Sequence, residues 1–388
     1  MNTTAKAHGM EGKLVEPDWP PLTLGEVRAL LSLFPGCGEP IEILSVSPRP
    51  FSAASVVATK SGQVFIKRHH RSVRDRDGLL EEHRFMKHLQ EHGAPVPRVY
   101  AASSGETAIE SGDWTFEVHE VPVGVDIYED ALSWTPFRSM VHARSAGEAL
   151  ARLHQTSRGF DAPRRKVQPL VAGFTIFAAE NPNAAMESYL AARPALAESA
   201  DAREGCNEAL ELLAPFHAQL RPLLPALKPL WTHNDLHASN LLWSDVSDDA
   251  RAVAVIDFGL ADRTNAVHDL AQAIERNIVE WLDLTDDSAQ AEVRVHFDHL
   301  EALLNGYEQV RPLSEEEAAA LAPMTALCHA EFALTEADYF LGVLRSKEKA
   351  RIASIDYLVG HAHWFRSAGG KKLLDEIRRW AETRMRVG

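Results

Sequence analysis

Three cysteines in 388 residues, Cys37, Cys206 and Cys328, are too few and too far apart for a disulfide framework. Without a C-x-x-C pair they offer no structural zinc site either. The sequence therefore predicts buried, reduced thiols. Long apolar runs are missing too: no stretch of about 18 uncharged apolar residues occurs, so no membrane span is expected. The polar start, Met1 to Asp18, lacks the apolar core of a signal peptide. Basic residues are in deficit, 40 against 55 acidic ones, for a net charge of −15. Nucleic acid and anionic membranes both demand a basic face, so neither is expected as a partner. These absences predict a cytoplasmic protein. Several site motifs are lacking as well: there is no G-x-x-x-x-G-K-[ST], no G-x-S-x-G and no H-E-x-x-H. Gly36-Cys37-Gly38 begins a dinucleotide-like pattern that fails at Ile41.

What is present is ample material for a core, 45% apolar, in a chain long enough for two lobes. Residues 1–20 read as a flexible leader. A helix is expected from Leu24 to Phe34, then short strands around Ile41–Leu44, Ser55–Thr59 and Gln63–Lys67, the last two joined by a Lys60-Ser61-Gly62 hairpin turn. Leu79, Leu80, His83, Met86 and Leu89 share one helix face, and Pro95-Val96-Pro97 ends that region. Two more extended segments follow, at 107–109 and 114–118. Beyond Gly124 the periodicity is helical, around Met140–Leu153, in 183–228 and in 289–384. Two apolar strands interrupt it, Leu230–Thr232 and Ala252–Ile256, bracketing a polar loop. The plan is α+β: a small antiparallel sheet lobe over 21–121 and a mostly helical lobe over 122–388.

The polar loop carries the chemistry. It reads Thr232-His233-Asn234-Asp235-Leu236-His237-Ala238-Ser239-Asn240, and the next strand ends in Asp257-Phe258-Gly259. H-x-D-x-x-x-x-N followed by D-F-G is what phosphoryl transfer requires. Its loose transition state calls for positioned groups and neutralised charge. Asp235 can orient an attacking hydroxyl and accept its proton. The Asn240 oxygen and the Asp257 carboxylate can ligate Mg²⁺, which prefers oxygen donors. Taken singly, each is an ordinary polar loop residue. His233 and His237 read as hydrogen-bonding supports of the loop rather than metal ligands. If the two flanking strands pair as a hairpin, the three site groups converge.

Phosphate chemistry also needs a cation. Lys67 ends the third strand in Val64-Phe65-Ile66-Lys67, as the strand-borne lysine of kinases does. Its expected partner is Glu82 on the following helix, with Glu81 as the competing neighbour.

These segments resemble the aminoglycoside phosphotransferase and choline kinase family, which has a protein-kinase-like two-lobed fold. His233 to Asn240 looks like its H-G-D-L-H-x-x-N loop, and Asp257-Phe258-Gly259 like its metal-binding turn. Asp269-Leu270-Ala271 looks like its helix-opening D-L-A. Pro95–Val99 and Leu150–His154 are similar to segments flanking the lobe boundary. The likeness spans roughly residues 40–280. It implies ATP and Mg²⁺ as cofactors and a small hydroxylated acceptor, with Glu120 and Val121 in the hinge that meets adenine. Two departures stand out. Asn234 replaces a glycine, which fits a left-handed backbone. The phosphate-covering turn, Pro48-Arg49-Pro50-Phe51-Ser52-Ala53, has no glycine, which leaves Ser52 as a weak phosphate ligand.

Three readings follow: a small-molecule kinase, a protein kinase, or a dead kinase fold used for binding. Asp269 comes only ten residues after Gly259 and no A-P-E follows, so a peptide-binding activation segment is not expected. Asp235, Asn240, Asp257 and Lys67 are all present, which disfavours the dead fold. A cationic amino alcohol or aminoglycoside-like acceptor is expected from the carboxylates Glu275, Glu280, Glu331, Glu336 and Asp338 near Tyr339.

Overall fold

The computed structural model describes residues 17–47, 50–131, 133–281 and 293–384. Pro48 and Arg49 of the phosphate-covering turn lie outside the described residues, as do 1–16 of the expected leader and the start of the tract expected from 289. The leader's end is not loose. Trp19 stacks on His70 with ring centroids 4.9 Å apart, and Asp18 accepts hydrogen bonds from Tyr339 Oη (2.9 Å) and Lys349 Nζ (2.6 Å). A half-buried aromatic contact and a charge-assisted pair hold this segment, a correction to the expected leader boundary at residue 20.

The first lobe begins with α1 (Leu24–Leu31), opened by a capping box in which Thr23 and Glu26 satisfy each other's backbone N–H groups. β1 (Pro40–Val46), β2 (Ala53–Thr59), β3 (Gly62–His70), α2 (Arg76–Glu91), β4 (Ile109–Ser111) and β5 (Trp114–Glu120) follow. The sheet is antiparallel in the order β1-β2-β3-β5-β4. Alternation along the strands sorts its two faces. Val57, Val64, Ile66, Phe116 and Val118 pack against Val27, Leu30, Leu31 and Phe34 on the α1 side.

The other face is polar. Lys67 lies opposite Glu117 in register, and His69 and His119 follow two residues on. Glu117 is buried and accepts from three imidazoles: His69 Nε2 at 2.9 Å, His83 Nε2 at 2.8 Å and His119 Nε2 at 2.8 Å. Burial alone would raise its pKa, but His119 and the other two rings hold the carboxyl well below the usual range. Replacing Glu117 with Leu strands three buried N–H groups and is expected to cost about 3 kcal/mol or more of stability at pH 7. For Glu117→Gln the sign follows from the depressed value. The carboxylate's contribution is complete above its unfolded pKa of about 4.3 and is lost as the pH falls below it. The stability gap to wild type, read by denaturant titration, should therefore be constant from pH 7 to 5 and narrow below about 4; a gap that widens on acidification would refute this.

The second lobe is helical: α3 (Met140–Thr156), α4 (Pro182–Ala191), α5 (Pro194–Glu198), α6 (Ala200–Leu220), α7 (Ala266–Ile278), α8 (Phe297–Val310), α9 (Glu315–Leu327), α10 (His329–Asp338), α11 (Lys347–Arg351), α12 (Leu358–Arg366) and α13 (Ala368–Arg384). A π-helical turn, Tyr339–Val343, follows α10. α3 and α8 approach closely because each carries a glycine at the crossing: a Cβ on Gly147 would strike the Leu303 carbonyl, and one on Gly306 the Arg144 carbonyl. Phe85, Met86 and Leu89 of α2 belong to the large core of this lobe. One described helix thus ties the sheet lobe to the helical one. No described helix is long and apolar enough to cross a membrane. The α+β, kinase-like two-lobed plan read from the sequence is the fold found.

Four short strands interrupt the helices: β6 (Pro229–Thr232), β7 (Leu241–Trp243), β8 (Ala252–Val255) and β9 (Asp262–Asn265). The hairpin considered for the two apolar strands does not form: they do not pair with each other. β6 pairs with β9, and β8 with β7. Both unforeseen partners are too short or too polar to show strand periodicity, and their pairing is decided across the loop.

Candidate active site

The two ribbons place the loop. Because β7 pairs with β8, Ile256 N donates to Asn240 O (3.0 Å), and the Asn240 and Asp257 side chains come from adjacent backbone. Because Thr232 pairs with Asp262, residues 233–235 lie against 256–260. His233 Nε2 donates to Ile256 O (2.9 Å), while its Nδ1 accepts from Asp235 N (3.2 Å). Burial lowers the pKa of His233 and keeps the ring neutral, as that tautomer requires. His237 Nδ1 meets Ser239 Oγ at 2.9 Å. Both histidines support the loop, as expected.

Asn234 has φ +59°, the left-handed conformation expected where the family has glycine. Its side chain explains the asparagine. Oδ1 accepts from Thr232 Oγ1 (2.8 Å) and Thr264 Oγ1 (3.1 Å), and Nδ2 donates to Leu260 O (3.3 Å), tying the loop to the β6–β9 ribbon and to the turn before β9.

α7 is the template beneath the loop. Asp269, buried in its first turns, accepts from His233 N (2.9 Å), Asn234 N (2.8 Å) and His154 Nε2 (2.9 Å). Burial opposes the charge, but His154 and these N–H groups keep its pKa low. At the far end of the same helix Asn277 accepts from Ala238 N (3.0 Å) and donates to Leu236 O (2.9 Å). The D-L-A segment and the histidine of Leu150–His154 thus act on the catalytic loop through one carboxylate. Asn277 was not singled out in the sequence, although it lies two turns along from Asp269.

Asn240 Nδ2 donates to Asp235 O (2.8 Å) and Asp235 Oδ2 (3.1 Å). With the nitrogen so committed, the amide oxygen is the group left to face a metal. Asp257, also at φ +59°, has a side chain 39% exposed. Lys67 Nζ lies 2.9 Å from its Oδ1. Partial burial would raise the Asp257 pKa, but the ammonium draws it far below the usual carboxylate range. Burial likewise opposes the charge on Lys67, and Asp257, Glu117 and Glu82 together hold its pKa above the ordinary lysine value. An oxygen-rich pair whose carboxylate already neutralises a cation fits a hard divalent ion.

The Lys67–Glu82 pair expected from the sequence is not the one found. Glu82 lies 3.7 Å from Arg165 Nη2, and Glu81 3.7 Å from Arg165 Nε. Arg165 and Arg74 also donate to the Gly259 carbonyl, at 3.0 and 2.7 Å, so the arginines draw the helix acids and the D-F-G turn together. No spacing in the sequence signals either arginine. In the nucleotide-free protein, a double-mutant cycle should show Lys67 and Asp257 coupled by on the order of 1 kcal/mol in stability, and Lys67 and Glu82 close to additive. Coupling of Lys67 to Glu82 alone would reverse the pairing.

Phe258 is buried against Phe85 of α2, centroids 5.9 Å apart, and against His233 at 4.8 Å. Glu120 ends β5, and its backbone N–H donates to Arg98 O (2.8 Å); Val121 follows, half-buried. Ser52 is buried just before β2, while neighbouring Phe51 packs edge-on against Tyr339 of the second lobe at 5.2 Å.

One residue absent from the sequence reading touches the candidate base, Asp235. The guanidinium of Arg276, on α7 and 1% exposed, contacts Asp235 Oδ1 and lies over the Phe332 ring at 4.3 Å. The carboxylates expected to line the acceptor site are mostly engaged elsewhere. Glu331 accepts from Ile176 N (2.7 Å) and Thr175, Glu280 pairs with His296 (3.1 Å), and Asp338 lies 3.8 Å from Arg193. Glu275 is 2.7 Å from His361, and burial pushes its carboxyl up to about 8. Glu336 stays near Arg276; burial pushes it up to about 7 against the pull of that guanidinium.

Against known proteins, residues 50–313, more than half of the chain, match the model of the phosphotransferase enzyme family. A homoserine kinase of Gluconacetobacter diazotrophicus is 25% identical over 345 residues, covering 86% of this chain and 92% of that protein. Among solved structures, a microcompartment-associated aminopropanol kinase aligns with a TM-score of 0.56 at 17% identity, over 90% of this chain and 99% of that one. The amicoumacin kinase hAmiN, solved with AMP-PNP, Ca²⁺ and Ami, aligns at 0.53 and 16% identity, over 93% and 96%. At such identities the solved structures speak for the fold, and the family match speaks for the chemistry: this chain belongs to the phosphotransferase enzyme family and is a small-molecule kinase, transferring a phosphoryl group to a hydroxyl.

Proposed function

We propose that the donor is Mg·ATP and that Asp235, Asn240, Asp257 and Lys67 carry the transfer. The observation behind this is their convergence: Lys67 on Asp257 at 2.9 Å, Asn240 on Asp235 at 2.8 and 3.1 Å, on two loops joined at Asn240 and Ile256. Asp235 orients the acceptor hydroxyl and takes its proton as the oxygen bonds to the γ-phosphorus. The bond from that phosphorus to the bridging oxygen breaks, and ADP leaves with the electron pair. Asn240 and Asp257 would hold Mg²⁺, which would supply charge neutralisation at the phosphates. Lys67 moves from Asp257 onto the phosphate oxygens, with Glu117 and Glu82 holding its charge from behind.

Glu120 and Val121, where the sheet lobe (21–121) gives way to the helical lobe (122–388), meet the adenine, and Ser52 faces the phosphates. The acceptor is a small alcohol that also carries an amine, the feature shared by the acceptors that name the homoserine and aminopropanol kinases. A cytoplasmic location follows from the need for ATP and suits three buried free thiols. The test is ADP release with a panel of amino alcohols, sugars and aminoglycosides, with and without Mg²⁺. Absence of both turnover and Mg·ATP-induced thermal stabilisation would refute the assignment.

A further inference from the structure

Arg276 is a costly residue to bury. Its Nη1 reaches Asp235, and its face covers Phe332, yet Nε and Nη2 make no hydrogen bond among the described residues. Unpaired buried donors on a cation are strongly destabilising unless something supplies an anion. The guanidinium is a planar fork, and the Nε–Nη2 edge is the geometry that takes a carboxylate bidentately. The groups around it inside the protein are Asp235, Glu336, the Tyr357 phenol and the Cys328 thiol. Asp235 is the base for the reacting hydroxyl, so an anion on the buried, unpaired edge of Arg276 belongs to the same small molecule as that hydroxyl.

We propose that Arg276 binds a carboxylate of the acceptor, which is therefore a small hydroxylated amino acid: hydroxyl at Asp235, carboxylate on Arg276, ammonium toward Glu336. This rests on the Mg·ATP kinase reading and narrows its acceptor. Arg276 is then the residue that separates amino acids from simple amino alcohols. A simple amino alcohol would leave the same two donors unsatisfied, a loss that hydrogen-bonding sites discriminate strongly.

Three matched acceptors test this: homoserine, 3-aminopropan-1-ol, which lacks only the carboxylate, and 4-hydroxybutanoate, which lacks only the ammonium. With wild type and saturating Mg·ATP, kcat/KM for homoserine is expected to exceed that for 3-aminopropan-1-ol by on the order of 100-fold or more. Arg276→Met should collapse that ratio toward 1, chiefly by raising KM for homoserine, while Mg·ATP still shifts the melting temperature and so reports a folded, nucleotide-competent protein. If Arg276→Met does not fold, Arg276→Lys decides: it keeps the charge, loses the fork, and should give an intermediate ratio. Glu336→Gln should weaken homoserine and spare 4-hydroxybutanoate. The inference is overturned if wild type uses 3-aminopropan-1-ol as well as homoserine. It is equally overturned if the Arg276 variants lower all acceptors by one factor, which would make Arg276 a positioning residue for Asp235. Turnover of none of the three, with the Mg·ATP shift intact, also overturns it and leaves the kinase reading standing; loss of that shift in wild type would instead remove the kinase reading.

Discussion

Asp235→Asn is expected to lower kcat by about 10² to 10⁴ while leaving Mg·ATP affinity close to wild type. The amide preserves shape and can still receive the Asn240 Nδ2 hydrogen bond on its oxygen, now seen at 3.1 Å to Oδ2. What it loses is the ability to accept the hydroxyl proton as the new bond forms. It also loses the charge that faces Arg276, so KM for the acceptor should change less than kcat if the base role dominates. Pre-steady-state ADP formation separates the two effects. Unchanged turnover with a good acceptor would remove Asp235 from the mechanism.

Asp257→Ala should have the second large effect: loss of detectable turnover together with loss of the thermal shift induced by Mg·ATP. Asp257 contributes the only full negative charge in the proposed metal pair, and a carboxylate offsets metal dehydration better than an amide does. Asn240→Ala should be milder, with part of the shift retained at raised Mg²⁺. In the free protein, Asp257→Ala also leaves Lys67 without its 2.9 Å partner, although Glu117 and Glu82 remain near enough to stabilise the ammonium. A full Mg·ATP shift in the alanine variant would place the metal elsewhere.

The site was unevenly legible. Asp235, Asn240 and Asp257, the residues proposed to carry the transfer, could be picked out because they lie at short range along the chain, on two loops flanking the β7–β8 pair, and short range along the chain is what a linear pattern records. Asn234 could be read because a left-handed backbone restricts the residue type, and its φ of +59° agrees. Lys67 was legible as a strand-end cation, but its partner was not. Glu82 of α2 was expected, and the ammonium instead meets Asp257, 190 residues away, because Arg165 and Arg74 gather Glu81, Glu82 and the D-F-G turn beside it. The acidic set of the second lobe was misread for the same reason. Most of those carboxylates are bound to backbone N–H groups, histidines or an arginine supplied by distant segments.

By itself the sequence determined the local structure and the reaction. Alternation and period placed a sheet lobe before a helical one, and the loop motif followed by D-F-G pointed to phosphoryl transfer. Tertiary structure decided everything that depends on which segments meet. It paired β6 with β9 and β7 with β8 instead of joining the two apolar strands, and it laid α7 under the loop so that Asp269 and Asn277 hold it at both ends. It gathered three histidines on Glu117 and brought the Arg276 guanidinium onto Asp235. The physical reason is that backbone propensity and apolar period act over a few residues, whereas a buried charge is settled by its counter-charge, and that partner comes from wherever the packed core places it.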